Sequence, residues 1–420
     1  MKKTNELAFF GGKPLRKNNG PLWPVFSKHE ELSLVKTLHS KIWWRNEGTE
    51  LREFEREFSN FHDSEYGISV ANGTLGLEIA LLAAGIGRND EILLPVMSFY
   101  STAMAVINVN AIPVFTDVDP ESLCVDIEDL ESKINSRTKA IIPVHFAGHS
   151  SNMGEILKLA RKHRLKIIED CAHAQGAAWE KNKVGHFGAG GVFSFQNAKL
   201  MTAGEGGMIL TDRKDFYEKC VYLSNCGRTD KFKTYQHVSV GTNARMTEFQ
   251  GAVLLSQLSR FKKQLDVRTR NAALLRKMMA GLSGIKLMVV DKRVSSHSNY
   301  MFIFKYLKEH FAGLPLGVFL KLLLAEGIHC STIYPPLNQL PVFKDRLFRP
   351  RFRDDEIRVM PDYKNESFGN AEESFASVVS IPHYFLLEEK LFRNIPEAIE
   401  KIRKYLRGNP QKIKSLRKLK

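Results

Sequence analysis

The apolar positions of this chain change their period several times, and the changes divide it. Residues 30–38 and 51–61 repeat apolar positions at helical spacing and predict two amphipathic helices. From residue 66 onward, short apolar runs alternate with helical patterns. Strands are predicted at 66–70, 91–95, 112–116, 140–144, 166–169 and 191–194, with another at 208–211 after a glycine cluster. Helices are predicted at 74–84, 101–108 and 153–163. Such continuous runs of Val, Ile and Leu suit strands buried on both faces. The alternation therefore predicts an α/β fold, with a mostly parallel central sheet flanked by helices. Ligands of such sheets bind beyond the carboxyl ends of the strands.

The pattern changes after a helix predicted from 247 to about 265. A smaller α+β unit is expected there, with a strand near 300–305, a helix near 316–326 and a final helix near 388–405. Residues 342–373 are charged and poorly periodic and read as an insertion loop that is free to move. The opening residues, with Gly11-Gly-Lys-Pro14 and Gly20-Pro-Leu-Trp-Pro24, read as an extended arm. The expected division is an arm over 1–30, a large domain over 31–258, a small C-terminal domain over 259–406 and a basic tail over 407–420.

Composition narrows the function classes. With 420 residues, 43% of them hydrophobic, the chain can bury a large core and build two or three units. Its five cysteines show neither CxxC nor metal-ligand spacing, which fits a reducing, cytoplasmic setting. No signal peptide and no membrane partner are expected, because no apolar run is long enough. The net charge is +15, and the stretch from Lys401 to Lys420 supplies nine cations and no acid. A run of that kind can touch nucleic acid or an anionic surface, but it reads more simply as a solvated, frayed terminus. Without aromatic interleaving or a recognition helix, no specific nucleic-acid partner is expected. His145 and His149 have no carboxylate between them and read as a strand end and a loop, so no metal is expected.

The chemistry concentrates in the segment Ser194-Phe-Gln-Asn-Ala-Lys199-Leu-Met-Thr-Ala-Gly204-Glu-Gly-Gly207, which stands between two predicted core strands. A lysine on a rigid loop there loses water, and a desolvated amine is a nucleophile toward carbonyls. Asp170 ends another strand and reads either as a cap or ion-pair carboxylate, or as the partner of the ring nitrogen of pyridoxal phosphate. Gly73 and Thr74 open a helix, where free N–H groups suit a phosphate, and Ser194 can add a hydroxyl. Phe99 reads as a core aromatic or as a ring that stacks on a flat cofactor. His173 reads as a buried core histidine or as a hydrogen-bond partner of the cofactor's phenolic oxygen.

These residues together resemble the DegT/StrS family of sugar aminotransferases, a branch of the fold type I aminotransferases that use pyridoxal 5′-phosphate. The resemblance runs from about Ala8 to Tyr405. It is carried by Asn72-Gly-Thr-Leu-Gly-Leu-Glu78, Phe115-Thr-Asp-Val-Asp-Pro120, Ala140-Ile-Ile-Pro-Val-His145, Glu169-Asp-Cys-Ala-His173, the Lys199 segment, and Gly241-Thr-Asn-Ala-Arg-Met246. It implies that Lys199 is the Schiff-base lysine and Asp170 the pyridinium partner. Ser194, Gly73 and Thr74 would form the phosphate cradle. Phe99 would stack on the ring, and His173 would face the phenolic oxygen. Asn243 would reach the phosphate of a neighbouring subunit, which implies a homodimer with shared active sites. Arg245, as a donor-carboxylate ligand or an interface residue, and Tyr334 are candidate substrate contacts.

The implied activity moves an amino group from glutamate or glutamine to a keto-sugar or keto-cyclitol, making an amino sugar for a surface polysaccharide or secondary metabolite. The opening Gly11-Gly-Lys-Pro-Leu-Arg16 and the pair Gln196-Asn197 look most like the branch acting on keto-cyclitols and aminohydroxybenzoate precursors. One departure concerns specificity. Where relatives often carry His-Tyr-x-Pro-x-His, this chain has Ile333-Tyr-Pro-Pro-Leu-Asn338, with both histidines absent. Two other readings are a sugar dehydratase of the same family, in which the lysine is replaced, and a non-catalytic pyridoxal-phosphate-binding regulator. The presence of Lys199 speaks against the first, and the lack of room for an accessory domain against the second.

Overall fold

A seven-stranded sheet organises the first two-thirds of the molecule. The structure is a computed structural model that describes residues 6–17, 23–229 and 235–418. Helices α1 (Lys28–Ser40) and α2 (Glu50–Phe61) lead in. The first is started by a capping box between Ser27 and Glu30, and the second buries Leu51, Phe54 and Phe58 along one stripe. Then follow β1 (Tyr66–Val70), α3 (Gly73–Ala83), β2 (Glu91–Pro95), α4 (Ser101–Asn108), β3 (Ile112–Thr116), α5 (Ile127–Ser132), β4 (Thr138–Ile141), α6 (Met153–His163) and β5 (Lys166–Asp170). A short hairpin, β6 (Ala178–Trp179) and β7 (Asn182–Lys183), precedes β8 (Gly190–Ser194), β9 (Gly207–Thr211) and α7 (Lys214–Ser224).

The sheet order is β1-β9-β8-β5-β4-β2-β3. Only β9 runs against its neighbours. The doubly buried strands and the parallel crossovers thus follow from the apolar runs, as expected for fold type I. α3 lies tight on the sheet because Gly76 faces Val192, where a Cβ would come within 2.6 Å of a methyl.

Helix α8 (Glu248–Met279) runs 32 residues, about 48 Å, well past the predicted end near 265. Its first turns pack on α1 and α2, while Ala272, Leu275 and Met279 belong to the core of the small domain. That domain contains β10 (Ile285–Leu287), β11 (Val294–Ser296), β12 (Met301–Tyr306), α9 (Leu316–Ala325) and β13 (Ser331–Thr332). After them come α10 (Pro341–Lys344), α11 (Asp354–Arg358), α12 (Gly369–Ser377), β14 (Val378–Pro382), α13 (Glu389–Phe392), α14 (Ile395–Gly408) and α15 (Pro410–Leu416). Strands β10-β12-β14-β13 form an antiparallel sheet, and β11 pairs back onto β6 of the large domain.

Two expectations are corrected. Residues 342–373 are not a free loop. Phe343, Phe348, Phe352, Ile357, Tyr363 and Phe368 join the core of the large domain, and the Tyr363 hydroxyl donates to Pro113 O on β3 at 2.7 Å. Asp117 accepts from the backbone N–H groups of Asn370 and Ala371 at 3.0 Å each. The segment covers the edge strand β3, whose outer backbone groups need partners. Nor is the basic tail frayed over its described residues. In α15, Leu416 is buried in the small-domain core, and Lys412 Nζ stands 4.8 Å over the Phe10 ring. Apolar contacts outweigh the charge repulsion there.

The arm is pinned as well. Leu7 is buried, and the carboxylate of Glu326 accepts from Ala8 N at 2.9 Å and from Lys401 Nζ at 2.8 Å. Its residues 18–22 lie outside the described ones.

Candidate active site

A cavity of about 670 Å³ opens at the carboxyl ends of β1, β2, β5 and β8. Gly73, Thr74, Phe99, Asp170, Ser194, Lys199 and Tyr334 all line it, together with Thr102, Gln196, Glu205 and Tyr300. It is large enough for a cofactor and a small substrate.

One wall is the N-terminus of α3. Asn72 caps the helix, its Oδ1 accepting from Leu75 N at 2.9 Å, so the N–H groups of Gly73 and Thr74 are left without intrahelical acceptors. Side chains are kept off this wall. A Cβ on Gly73 would stand 3.1 Å from Ser194 Cβ, and one on Gly207 would stand 2.7 Å from the carbonyl carbon of Asn72. Ser194 Oγ accepts from Gln196 N at 3.3 Å, which leaves its proton to donate. The result is an electropositive, donor-rich pocket for an anion.

Asp170 ends β5 and is buried. Its Oδ2 accepts from Thr102 Oγ1 at 2.7 Å and its Oδ1 from Ala172 N at 3.1 Å. Ser98 Oγ stands 2.6 Å from Thr102 Oγ1 and extends the chain of hydroxyls. These donors fix the orientation of the carboxylate. Lys199 is buried, and its Nζ lies 4.8 Å from the centroid of the Tyr300 ring. Among the described residues it forms no ion pair, so its amine faces the cavity over an aromatic face. His173 stands one layer behind the wall. Its ring stacks on Tyr300 at 4.1 Å, and its Nε2 lies 3.3 Å from Tyr334 Oη. Its buried Nδ1 has no hydrogen-bond partner among the described residues. Burial, with the charge of Lys199 second, holds the His173 pKa well below the usual histidine range, so the ring is neutral. Burial pushes the Tyr334 phenol up.

Two candidates stand apart from this cavity. Arg245 Nη1 donates to Asn225 Oδ1 at 2.8 Å, and its guanidinium stands 5.8 Å from the Trp44 ring. Asn243 is exposed and bridges to Asn225. Three contributors were not singled out in the sequence: Thr102 beneath Asp170, Tyr300 beneath Lys199, and Glu205 in the glycine cluster. For the first two no local signal exists, since their roles arise only when α4 meets the end of β5 and the residue before β12 meets Lys199. His145, Glu169 and Cys171 gather within 4.8 Å on the other face of β5. Glu169 there accepts from Gly185 N, Phe187 N and His145 Nε2, and His145 Nδ1 accepts from Ser151 N, so the group is already hydrogen-bonded internally.

Comparison with known proteins places the chain in a family. Residues 26–400 match the DegT/DnrJ/EryC1/StrS aminotransferase family. The chain belongs to that family. It is therefore an aminotransferase of fold type I. It is 34% identical over 348 residues to a putative L-glutamine:3-amino-2,3-dideoxy-scyllo-inosose aminotransferase of Streptoalloteichus tenebrarius, covering 81% of this chain and 83% of that one. It is 32% identical over 421 residues to the L-glutamine:2-deoxy-scyllo-inosose aminotransferase of Streptomyces lividus, covering 95% and 98%. Among solved structures, 3-amino-5-hydroxybenzoic acid (AHBA) synthase superposes with a TM-score of 0.81 at 30% identity, over 92% of this chain and 99% of that one.

Proposed function

We propose that this DegT/DnrJ/EryC1/StrS aminotransferase uses pyridoxal 5′-phosphate to move an amino group from L-glutamine to the ketone carbon of a keto-cyclitol or keto-sugar, in the making of an amino sugar. Glutamate is the alternative donor. The observation that carries the reading is one cavity holding three things at once: the free N–H groups of α3, the doubly hydrogen-bonded Asp170 carboxylate, and the Lys199 amine. The residues fit the cofactor. The N–H groups of Gly73 and Thr74, with the Ser194 hydroxyl, would hold its phosphate, and a Cβ on Gly73 would crowd Ser194 at 3.1 Å. Asp170 would hold its ring nitrogen, Lys199 its aldehyde carbon, and Phe99 a face of its ring. When bound, the cofactor supplies an electron sink next to the carbon that loses its proton.

The chain's own groups do the rest. Thr102 and the Ala172 N–H hold the Asp170 carboxylate in place, where it would pair with a proton on the ring nitrogen. Lys199 Nζ would take the proton from the donor carbon and return it two atoms along, and in the second half-reaction it would run the same transfer in reverse. Tyr300 and Tyr334 wall the reaction from bulk water and give Lys199 an uncharged floor. Lys199 is the only cation among the described lining residues, and the other polar ones offer hydroxyl, amide and carboxylate groups, which suits a neutral polyol ketone. The L-glutamine-dependent relatives support the donor and acceptor class.

In this reading the enzyme works as a homodimer, and the exposed Asn243 contributes to the phosphate site of the other protomer. The reducing cytoplasm keeps its five free cysteines unpaired. No helix among the described residues is long and apolar enough to cross a membrane.

The test combines borohydride reduction of cofactor-loaded protein with peptide mass mapping and a panel of keto-cyclitols and keto-sugars with L-glutamine. The reduced adduct is expected on the peptide containing Lys199, with an aminated product from at least one ketone. Lys199→Ala should abolish both. An adduct on another lysine, or full turnover by Lys199→Ala, rejects the proposal.

A further inference from the structure

Two consecutive carbonyls just before Lys199 are held from outside the large domain. The indole N–H of Trp23, on the N-terminal arm, donates to Asn197 O at 2.9 Å. His383, which follows β14 of the small domain, sets its Nε2 3.1 Å from Ala198 O. Its other ring nitrogen, Nδ1, lies 3.4 Å from Nη2 of Arg268 on α8. A guanidinium can only donate, so Nδ1 is the accepting nitrogen. The ring proton therefore sits on Nε2 and is donated to Ala198 O.

Arg268 is fully buried, and among the described residues its Nε and Nη1 have no hydrogen-bond partner. Among the described residues no carboxylate pairs with it. Its guanidinium stands 5.7 Å from the centroid of the Trp23 ring, and Trp23 meets His383 edge to face at 4.6 Å. Burial pulls its pKa down to about 9. A buried cation without a counter-ion destabilises a fold, and an apolar side chain of the same size would pack there without that cost. Stability does not explain this arginine. Its contacts do, since both residues it touches hold the backbone that carries Lys199.

We propose that Arg268 is a positioning residue: it fixes the Nε2–H tautomer of His383 and backs the Trp23 ring, so that the two donors preset residues 196–199 and present the Lys199 amine to the cavity. The arm, α8 and the small domain thereby converge on one loop of the large domain. The inference rests on Lys199 being the reacting amine of the proposed function, but the loop itself can be probed without any cofactor.

The experiment is hydrogen–deuterium exchange with mass spectrometry on cofactor-free protein, reading the peptide that spans 195–203. Its amides report on the loop, because Ala198 N donates to Gln196 Oε1 and Lys199 N to Gln196 O, both at 2.8 Å. Arg268→Met and His383→Phe are expected to speed exchange there about tenfold, the effect of losing one buried hydrogen bond. His383→Gln, whose amide can donate to Ala198 O and accept from Arg268, should restore slow exchange. Steady-state kinetics of loaded enzyme should show kcat lowered in Arg268→Met and His383→Phe, with the donor KM unchanged. Wild-type exchange at 195–203 in both variants overturns the proposal, as does a His383→Gln protein that exchanges as fast as His383→Phe. Should Arg268→Met fail to fold, Trp23→Phe decides: it loses only the donor to Asn197, and unchanged exchange there rejects the scheme. A wrong assignment of the reacting amine would show in the borohydride mapping and leave the exchange result standing.

Discussion

The hydroxyl of Thr102, on α4, donates to Asp170 Oδ2 at the end of β5 across 2.7 Å, with Ser98 behind it. The bond orients the carboxylate toward the cavity, and a hydrogen bond to a charged acceptor is among the strong ones. Thr102→Val should therefore lower kcat about ten- to a hundredfold, the loss of one hydrogen bond to a charged group of roughly 1.5–3 kcal/mol. Asp170→Asn should do worse, by about a thousandfold or more, since it removes the charge itself. Both are read from steady-state amination of a keto-cyclitol. Equal rates for Thr102→Val and the unaltered enzyme would refute the role given to the hydroxyl.

Gly207 tests the anion cradle. A Cβ at this position meets backbone of Asn72 rather than a side chain that could turn away. Gly207→Ala should shift the cap of α3, destabilise the fold by about 1–3 kcal/mol, and weaken pyridoxal phosphate binding at least about tenfold. Equilibrium titration of the cofactor-free variant checks the affinity, and urea unfolding checks the stability.

Acid should weaken the fold through its buried histidines. Burial holds the pKa of His62 down at about 3 and those of His173 and His383 well below the usual range. The unfolded chain takes up these protons near pH 6.5 and the folded one does not, so unfolding binds protons and stability rises with pH. The contribution is complete above about pH 6.5 and declines as the pH falls toward 3, by about 1.4 kcal/mol per pH unit for each group. Urea midpoints between pH 7.5 and 5 should drop accordingly, and His62→Phe should flatten the slope. A slope unchanged by that substitution would show that His62 does not contribute.

The docked tail and the docked insertion make separate stability predictions. Truncation after Gly408 removes Leu416 from the small-domain core and should cost about 2–4 kcal/mol. Tyr363→Ala empties a buried site against Phe115 and Phe343 and should cost about 3–5 kcal/mol, whereas Tyr363→Phe should cost about 1. Calorimetric melting of the three proteins distinguishes these effects.

Much of the large domain is legible in the chain because each strand and helix there carries its own local signal. Apolar runs mark the doubly buried strands, and Asn72 and the glycines mark the start of α3. The rest depends on distant partners. Phe343, Phe348, Phe352 and Tyr363 follow no helical or strand period, because they sit on short turns that cover β3, and only the folded sheet makes sense of their spacing. Leu416 is one apolar residue in a run of cations, too little to announce a docked helix. In the site, Asp170 stands out at a strand end and Lys199 on a short loop between two core strands, while Thr102 and Tyr300 look ordinary until distant elements meet. Arg268 gives no warning either, being one of several cations along a polar helix.

The segment between β13 and β14 leaves the small domain, lies along the rim of the large sheet, and comes back. The smaller lobe is thus moored at a further point besides the long helix α8 and the β11–β6 pairing, and Tyr334 stands just where the mooring line departs. A lobe tied fore and aft is a poor swinging door. Discrimination among incoming ketones then falls to the fixed outline of the doorway, and engineering a new acceptor would begin with the residues around Tyr334 rather than with a hinge.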